Sequence, residues 1–328
     1  MSRKVFVLLF LLLSLCVVMT AAAQERKPLE PVKLILFTWP APLAVGDAKG
    51  FFAEEGIRLE GTITRNSVEQ IRGILNGTWD LAQAATDNVI AYDESEGADL
   101  SVFAAIERGL GMTLYAPSSI KSVQDLKGKT MGVDAIASGF TFILRKMLLV
   151  NGLDLNRRDY GLAAVGGTTQ RLQALKEGTI AGALLSVSFE EQARQAGLVP
   201  LIAARDVLGN FQSTSWAGRL TWAAANSDRL VRFLRAYVKS VDWLSVPSNQ
   251  KEAAAILANR QKIPVEVATR LLSQEMDPAT GIIPRAAIDI KGMEAVLKLR
   301  WEMGFLKAPI PPVEKYYDLT YYNRAVKK

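Results

Sequence analysis

The sequence has no histidine and a single cysteine, Cys16, which lies inside an apolar N-terminal run. Without histidine there is no Ser-His-Asp triad and no imidazole metal ligand. Without a cysteine beyond residue 16 there is no thiolate nucleophile, no thiolate metal site and no disulfide framework. No G-x-S-x-G elbow is present either. Chemistry through carboxylates or lysines survives this sieve, but no motif points to it. Charge of one sign is also scarce: 39 basic against 33 acidic residues give +6, with no Lys/Arg block and no nucleic-acid motif. No cofactor, metal or nucleic acid is expected.

What is present begins with a leader. Arg3 and Lys4 precede an apolar stretch from Val5 to Val18, interrupted only at Ser14, and Ala21-Ala22-Ala23 follow. A basic start, a short apolar run and small residues form a secretory signal pattern, with cleavage expected after Ala23. The run is shorter than the roughly 20 residues a membrane span needs. Leu15, before Cys16, is not the small residue a lipidation site wants. Removing residues 1–23 leaves 37 basic against 33 acidic residues. About 300 residues then form their core unaided, in one large domain or two lobes.

Beyond the leader, strands and helices alternate, which predicts an α/β fold with mostly parallel sheets. VKLILFTW (Val32–Trp39) reads as a buried strand ended by prolines, and Leu43–Glu55 as a helix closed by Gly56. Ser67-Val-Glu-Gln70 spells a capping box. WDLAQA, SVFAAIE and MTLYA read as strands, and KTMGV, YGLAAVGG, TIAGALL and LVPLIAA follow with helices between them. After Asn226 the pattern is helical over 228–244, 251–260, 264–274 and 286–303. The first of these helices has an apolar face at Leu230, Phe233, Leu234, Tyr237 and Val241. The terminal tyrosines, Tyr316, Tyr317, Tyr321 and Tyr322, suit a tail docked on the body.

Five segments carry a family resemblance: AKGFFAEEGIRLE (Ala48–Glu60), LNGTWDLAQA (Leu75–Ala84), GADLSVFAA (Gly97–Ala105), SIKSVQDLKGKTMGV (Ser119–Val133) and LQALKEGTIAGALL (Leu172–Leu185). Their order resembles the nitrate/sulfonate/taurine class of ABC-transporter solute-binding proteins, which also includes thiamine-precursor binders. The resemblance implies a periplasmic-binding-protein type II fold: two α/β lobes, two crossovers and a ligand cleft. It implies crossovers near Leu114–Ala116 and Ala203–Ser213. Residues 29–115 plus 214–328 would form a discontinuous first lobe, and 116–213 the second. The implied partners are a small-molecule ligand and an inner-membrane permease with its ATPase; the chain is expected to act as a monomer in the periplasm. A related iron-dependent pyrimidine synthase branch needs a histidine and a Cys-rich motif, and is excluded.

Ligands of open α/β sheets bind at the carboxyl ends of strands, which nominates site residues. Trp39 follows the first strand and reads equally as a stacking face or a core aromatic. Ser67 opens a helix. Thr86, Asp87 and Asn88 follow the third strand. Ser138, Gly139 and Phe140 open another helix, and Thr168 and Thr169 a third; helix starts of this kind favour anions or dipoles. Ser186, Ser188, Phe189 and Glu190 follow TIAGALL, and Ser215 lies on the second crossover. Hydroxyls, amides and aromatics suit capture of a sulfonate, carboxylate or heteroaromatic solute without chemistry. Asp87 or Glu190 in the pocket would favour a heteroaromatic or amine. Two other readings stay open: a secreted enzyme working through Asp87 and Glu190, and a sensing module of the same fold.

Overall fold

The computed structural model describes residues 28–108 and 111–327. The leader expected over residues 1–23 lies outside the described residues. Among the described residues no helix is long and apolar enough to cross a membrane.

The first lobe opens with β1 (Glu30–Leu36), α1 (Ala41–Ala48), α2 (Phe51–Glu54), β2 (Ile57–Ile63), α3 (Ser67–Leu75), β3 (Leu81–Ala85), α4 (Thr86–Glu96) and β4 (Ser101–Glu107). β1 is flanked by β2 and β3, both parallel to it. Val32, Leu34, Ile35 and Leu36 are all fully buried, as a parallel strand covered on both faces requires. The helix expected over 43–55 is broken in two at Lys49-Gly50, where Gly50 turns into the left-handed region at φ 75°.

The second lobe is contiguous: β5 (Met112–Pro117), β6 (Thr130–Val133), α5 (Gly139–Val150), β7 (Gly161–Ala164), α6 (Thr168–Glu177), β8 (Gly182–Ser186), α7 (Glu190–Gln195) and β9 (Leu198–Ala203). Its sheet runs β7-β6-β8-β5-β9. β5 pairs antiparallel with both β8 and β9. The chain therefore changes sheets between Glu107 and Met112, earlier than the expected Leu114–Ala116. The apolar MTLYA segment is a buried central strand of the second sheet, so it belongs wholly to that lobe.

The chain returns to the first sheet with β10 (Thr214–Gly218), which lies antiparallel between β3 and β4. α8 (Leu220–Ala225), α9 (Ser227–Leu244), α10 (Gln250–Gln261), α11 (Val265–Glu275), α12 (Ile290–Glu302) and α13 (Thr320–Val326) complete the protein. The apolar face of α9 is buried, with Phe233 and Tyr237 edge-on to Trp216 of β10 at 5.1 and 5.3 Å. α12 begins four residues later than the sequence pattern suggests. Asp289 caps it, accepting the Gly292 amide at 3.0 Å, because the preceding residues form a turn at Pro284–Ala286. Tyr316, Tyr321 and Tyr322 are buried, which docks the tail on the body.

Candidate functional site

One cavity of about 470 Å³ lies between the lobes and is reached by strand ends of both sheets. The first lobe contributes Phe37 and Thr38 after β1, Arg65 after β2, Gln83 on β3, Glu107 ending β4 and Thr214 opening β10. Gln274 and Glu275, the last turn of α11, and the following Asp277, Thr280 and Gly281 close one side. The second lobe contributes Asp134, Phe140, the 167–171 segment, the 186–190 segment and Arg205.

Contacts between lobes surround this space, so the protein is closed. On one rim the Gly167 amide donates to the Arg65 carbonyl at 3.1 Å, and the Ser67 hydroxyl donates to Asp134. On another the Gln274 side-chain amide donates to Glu190 at 3.2 Å. Phe37 and Phe140 meet edge-to-face with centroids 5.8 Å apart, across the seam between lobes.

The polar features come from local backbone geometry. Gly167 caps α6 without a side chain, so the first-turn amides of α6 lie open at the positive end of the helix, beside the cavity. Arg171 holds the 166–168 turn: Nε donates to the Leu184 carbonyl, Nη1 to the Gly166 carbonyl and Nη2 to the Thr168 hydroxyl, each at 3.0 Å. Burial lowers the guanidinium pKa from its usual value, and nearby Asp134 acts in the opposite direction. Gln83 accepts the Phe37 and Thr38 amides at 3.0 and 3.3 Å, shaping the turn after β1. Burial pushes the Glu275 carboxyl up to about 8. The Ala41 amide, 3.0 Å from Glu275 Oε2, opposes this, and the Glu107 charge adds to it. Burial likewise raises Glu107 above the ordinary carboxylate range.

Of the residues nominated from sequence, Phe140, Thr168, Thr169, Ser186, Ser188, Phe189 and Glu190 line this cavity. The remainder do not. Trp39 packs its ring under the Arg260 guanidinium, 3.9 Å from the ring centroid, so it serves the body of the first lobe. Ser67 is the first helical residue, not the cap. Asn66 caps α3 by accepting the Glu69 amide at 2.9 Å, which leaves the Ser67 hydroxyl for Asp134. Thr86 and Ser215 bond each other at 2.6 Å. Ser215 also accepts from Gln212 at 2.9 Å, and Gln212 accepts the Asp289 amide at 2.7 Å. That buried chain fastens the second crossover to the start of α12.

Asp87 pairs with Arg300 of α12 at 2.9 Å, both side chains buried, and burial raises its carboxyl to about 6 against the pull of Arg300. Asn88 accepts the Gly139 amide at 3.4 Å. Ser138 caps α5, accepting the Thr141 amide at 3.2 Å and donating to Asp134. Gly139 is held against Asp87 so tightly that a Cβ would lie 2.6 Å from the Asp87 Cβ. These residues weld α4, α5 and α12 together behind the cavity.

Sequence reasoning missed Phe37, Gln83, Glu107, Glu275 and the arginines Arg65, Arg171 and Arg205. Glu107 ends β4 and was legible by the strand-end rule, whereas Gln83 lies in the middle of β3. Glu275 follows a helical pattern far along the chain, and only tertiary packing brings it to the cleft.

Comparison with known proteins agrees with this architecture. Residues 39–250, more than half of the chain, match the family described as NMT1/THI5 like. The formylaminopyrimidine-binding protein of Halalkalibacterium halodurans is 21% identical over 97% of this chain and 99% of its own. A ligand-binding component of an ABC-type import system from Staphylococcus aureus, solved with zinc bound, superposes with TM-score 0.75 at 15% identity, covering 91% of this chain and all of that one. The periplasmic nitrate-binding protein NrtA of Synechocystis PCC 6803 gives TM-score 0.74 at 15% identity, over 90% of this chain and 88% of its own. Two five-stranded lobes closed on a shared cavity and the match across residues 39–250 together place the chain in the NMT1/THI5-like family, with the periplasmic-binding-protein fold.

Proposed function

We propose that the protein is the substrate-binding component of an ABC importer. It captures a small organic solute by closing its lobes and presents the closed form to an inner-membrane permease driven by its ATPase. The observation that carries this reading is the cavity of about 470 Å³ formed jointly by strand ends of both lobes. A ligand that bonds to both lobes favours the closed state by those extra contacts and needs no reactive group. The related formylaminopyrimidine-binding, nitrate-binding and ABC-import proteins support it. The proposed location is the periplasm, after removal of residues 1–23, and the proposed working form is a monomer.

The proposed ligand residues are Phe140, Thr168, Thr169, Ser186, Ser188, Phe189 and Glu190, joined from the first lobe by Phe37, Gln83 and Thr214. The rings offer apolar walls and the start of α6 offers donors for one polar end. The enzymatic alternative rested on Asp87 and Glu190 acting together. Asp87 is locked to Arg300 outside the cavity, so that pair does not form.

Native mass spectrometry of protein purified without refolding tests the proposal. A small co-purifying molecule is expected, with a melting temperature that falls when it is dialysed away. Protein that carries none, and whose melting is unchanged by alkanesulfonates, aromatic carboxylates, pyrimidines and organic amines alike, would count against it.

A further inference from the structure

Resting on that reading and naming its ligand more closely, we propose that Glu107, Glu275 and Thr214 form a subsite for a cationic nitrogen group, an ammonium or amidinium, on the captured solute. The two carboxylates come from unrelated elements, the last residue of β4 and the last of α11, and line the same cavity. One loop fixes both. The Ile282 amide donates to the Glu275 carbonyl at 2.7 Å, and Ile282 bridges to Glu107 in antiparallel fashion. Gly281 lies so close that a Cβ there would meet the Glu275 carbonyl oxygen at 2.1 Å. The carboxylates are thus held as a built wall and not as two loose side chains.

No cation acts on either carboxylate: Glu107 meets burial and the Thr214 hydroxyl, and Glu275 meets burial, the Ala41 amide and the Glu107 charge. An independent observation points the same way. Thr214 lines the cavity at 3% exposure, directly across the strand pair from Glu107; its hydroxyl is near the Glu107 carboxylate but meets the full geometry of no hydrogen bond, so its bonding capacity is unsatisfied. A buried hydroxyl without a partner is costly unless a ligand supplies one. A nitrogen cation supplies what all three lack: charge for the carboxylates, N–H donors, and a partner for the Thr214 oxygen.

The remaining charges facing this space are Glu190 and Asp277 on the acidic side and Arg65, Arg171 and Arg205 on the basic side, with Asp134 engaged by Ser67 and Ser138. Arg171 spends its donors on the protein itself. Among the described residues no group of three or more acids, histidines or cysteines is placed to hold a metal ion, so an organic cation fits the wall better than a bare metal. Burial raises both carboxyls, so a ligand cation beside them would favour their ionised form.

Isothermal titration of the full folded protein with benzamidine and benzylamine, against benzoate and benzenesulfonate, tests this. Benzamidine should bind, and Glu107→Gln or Glu275→Gln should weaken it at least tenfold, with Thr214→Val weakening it by less. Glu177→Gln, an exposed acid on the opposite lobe outside the cavity, should leave it within about twofold. Failure of both cationic probes to bind overturns the subsite, as does equal binding to the doubly substituted protein or preferential binding of the anions. A co-purified solute seen by native mass spectrometry would still uphold solute capture in any of those cases, so the two ideas fail separately.

Discussion

Replacing Glu275 by glutamine should stabilise the unliganded protein, by an amount that grows with pH. The Glu275 carboxyl is raised from an ordinary 4.5 to about 8. In the unfolded chain it ionises at the ordinary value. Between those limits the folded state therefore holds more protons than the unfolded state, and stability falls as pH rises. The contribution of this group is fully present below about 4.5 and is lost as pH rises through about 8. At about 1.4 kcal/mol per unit, the full window is worth about 5 kcal/mol. The carboxylate keeps some contact with solvent through the cavity, so about half of that, ~2 kcal/mol at pH 8, is the working figure. Glutamine keeps an oxygen for the Ala41 amide, now 3.0 Å from Oε2, and has no charge to desolvate. Urea unfolding of wild type and Glu275→Gln at intervals from pH 5 to pH 9 reads this directly. The curves should nearly meet at pH 5 and diverge above it, with the variant higher. A variant that is less stable than wild type at pH 8, or a gap that does not change with pH, would refute the reasoning.

Other outcomes follow from the same geometry. Amidinium binding displaces the proton from the wall, so benzamidine affinity should strengthen between about pH 6 and about pH 8, read by titration in buffers of differing ionisation enthalpy. Arg300→Met removes the partner of Asp87 and a guanidinium packed over Phe142 and Phe305; urea unfolding at pH 7 should show a loss of about 2–4 kcal/mol, smaller at pH 5 where Asp87, raised to about 6, is largely protonated. Gly139→Ala drives a Cβ into Asp87 across the lobe seam; it should cost about 1–3 kcal/mol, and small-angle scattering should show a larger radius of gyration as the lobes part. Phe140→Ala removes a cavity wall and its edge contact with Phe37, and should weaken the co-purified solute about tenfold or more in equilibrium dialysis.

The sheets were legible because alternation of apolar strands with capped helices is a local signal. β4 falls where its pattern places it, and β5 was recognised as a strand. Its lobe was not, because which sheet a buried strand joins depends on pairing with β8 and β9, segments far away in sequence. The second-lobe side of the cleft was readable for the same local reason: α6 and the end of β8 follow their strands directly and face the cavity. Asp87, Asn88, Ser138 and Gly139 obey the same rule and yet face each other. Two helix starts from opposite lobes abut there, and their polar groups satisfy one another. Arg171 escaped notice because it sits a turn inside its helix, and Glu275 because nothing near it in sequence marks a buried acid.

The position of β10 has a consequence for biogenesis. The strand fills the gap between β3 and β4, so those two never pair directly, although they are near in sequence. A nascent polypeptide emerging in order holds four strands of an incomplete sheet until residue 214 arrives. Meanwhile the contiguous segment from Met112 to Ala203 already contains every strand of its own sheet. The middle of the chain is thus free to finish first, and the outer halves wait on a long-range pairing that is slow to find. An isolated 112–203 fragment that acquires structure alone, and a chain truncated before Thr214 that retains apolar dye binding, are the signatures of that order of assembly.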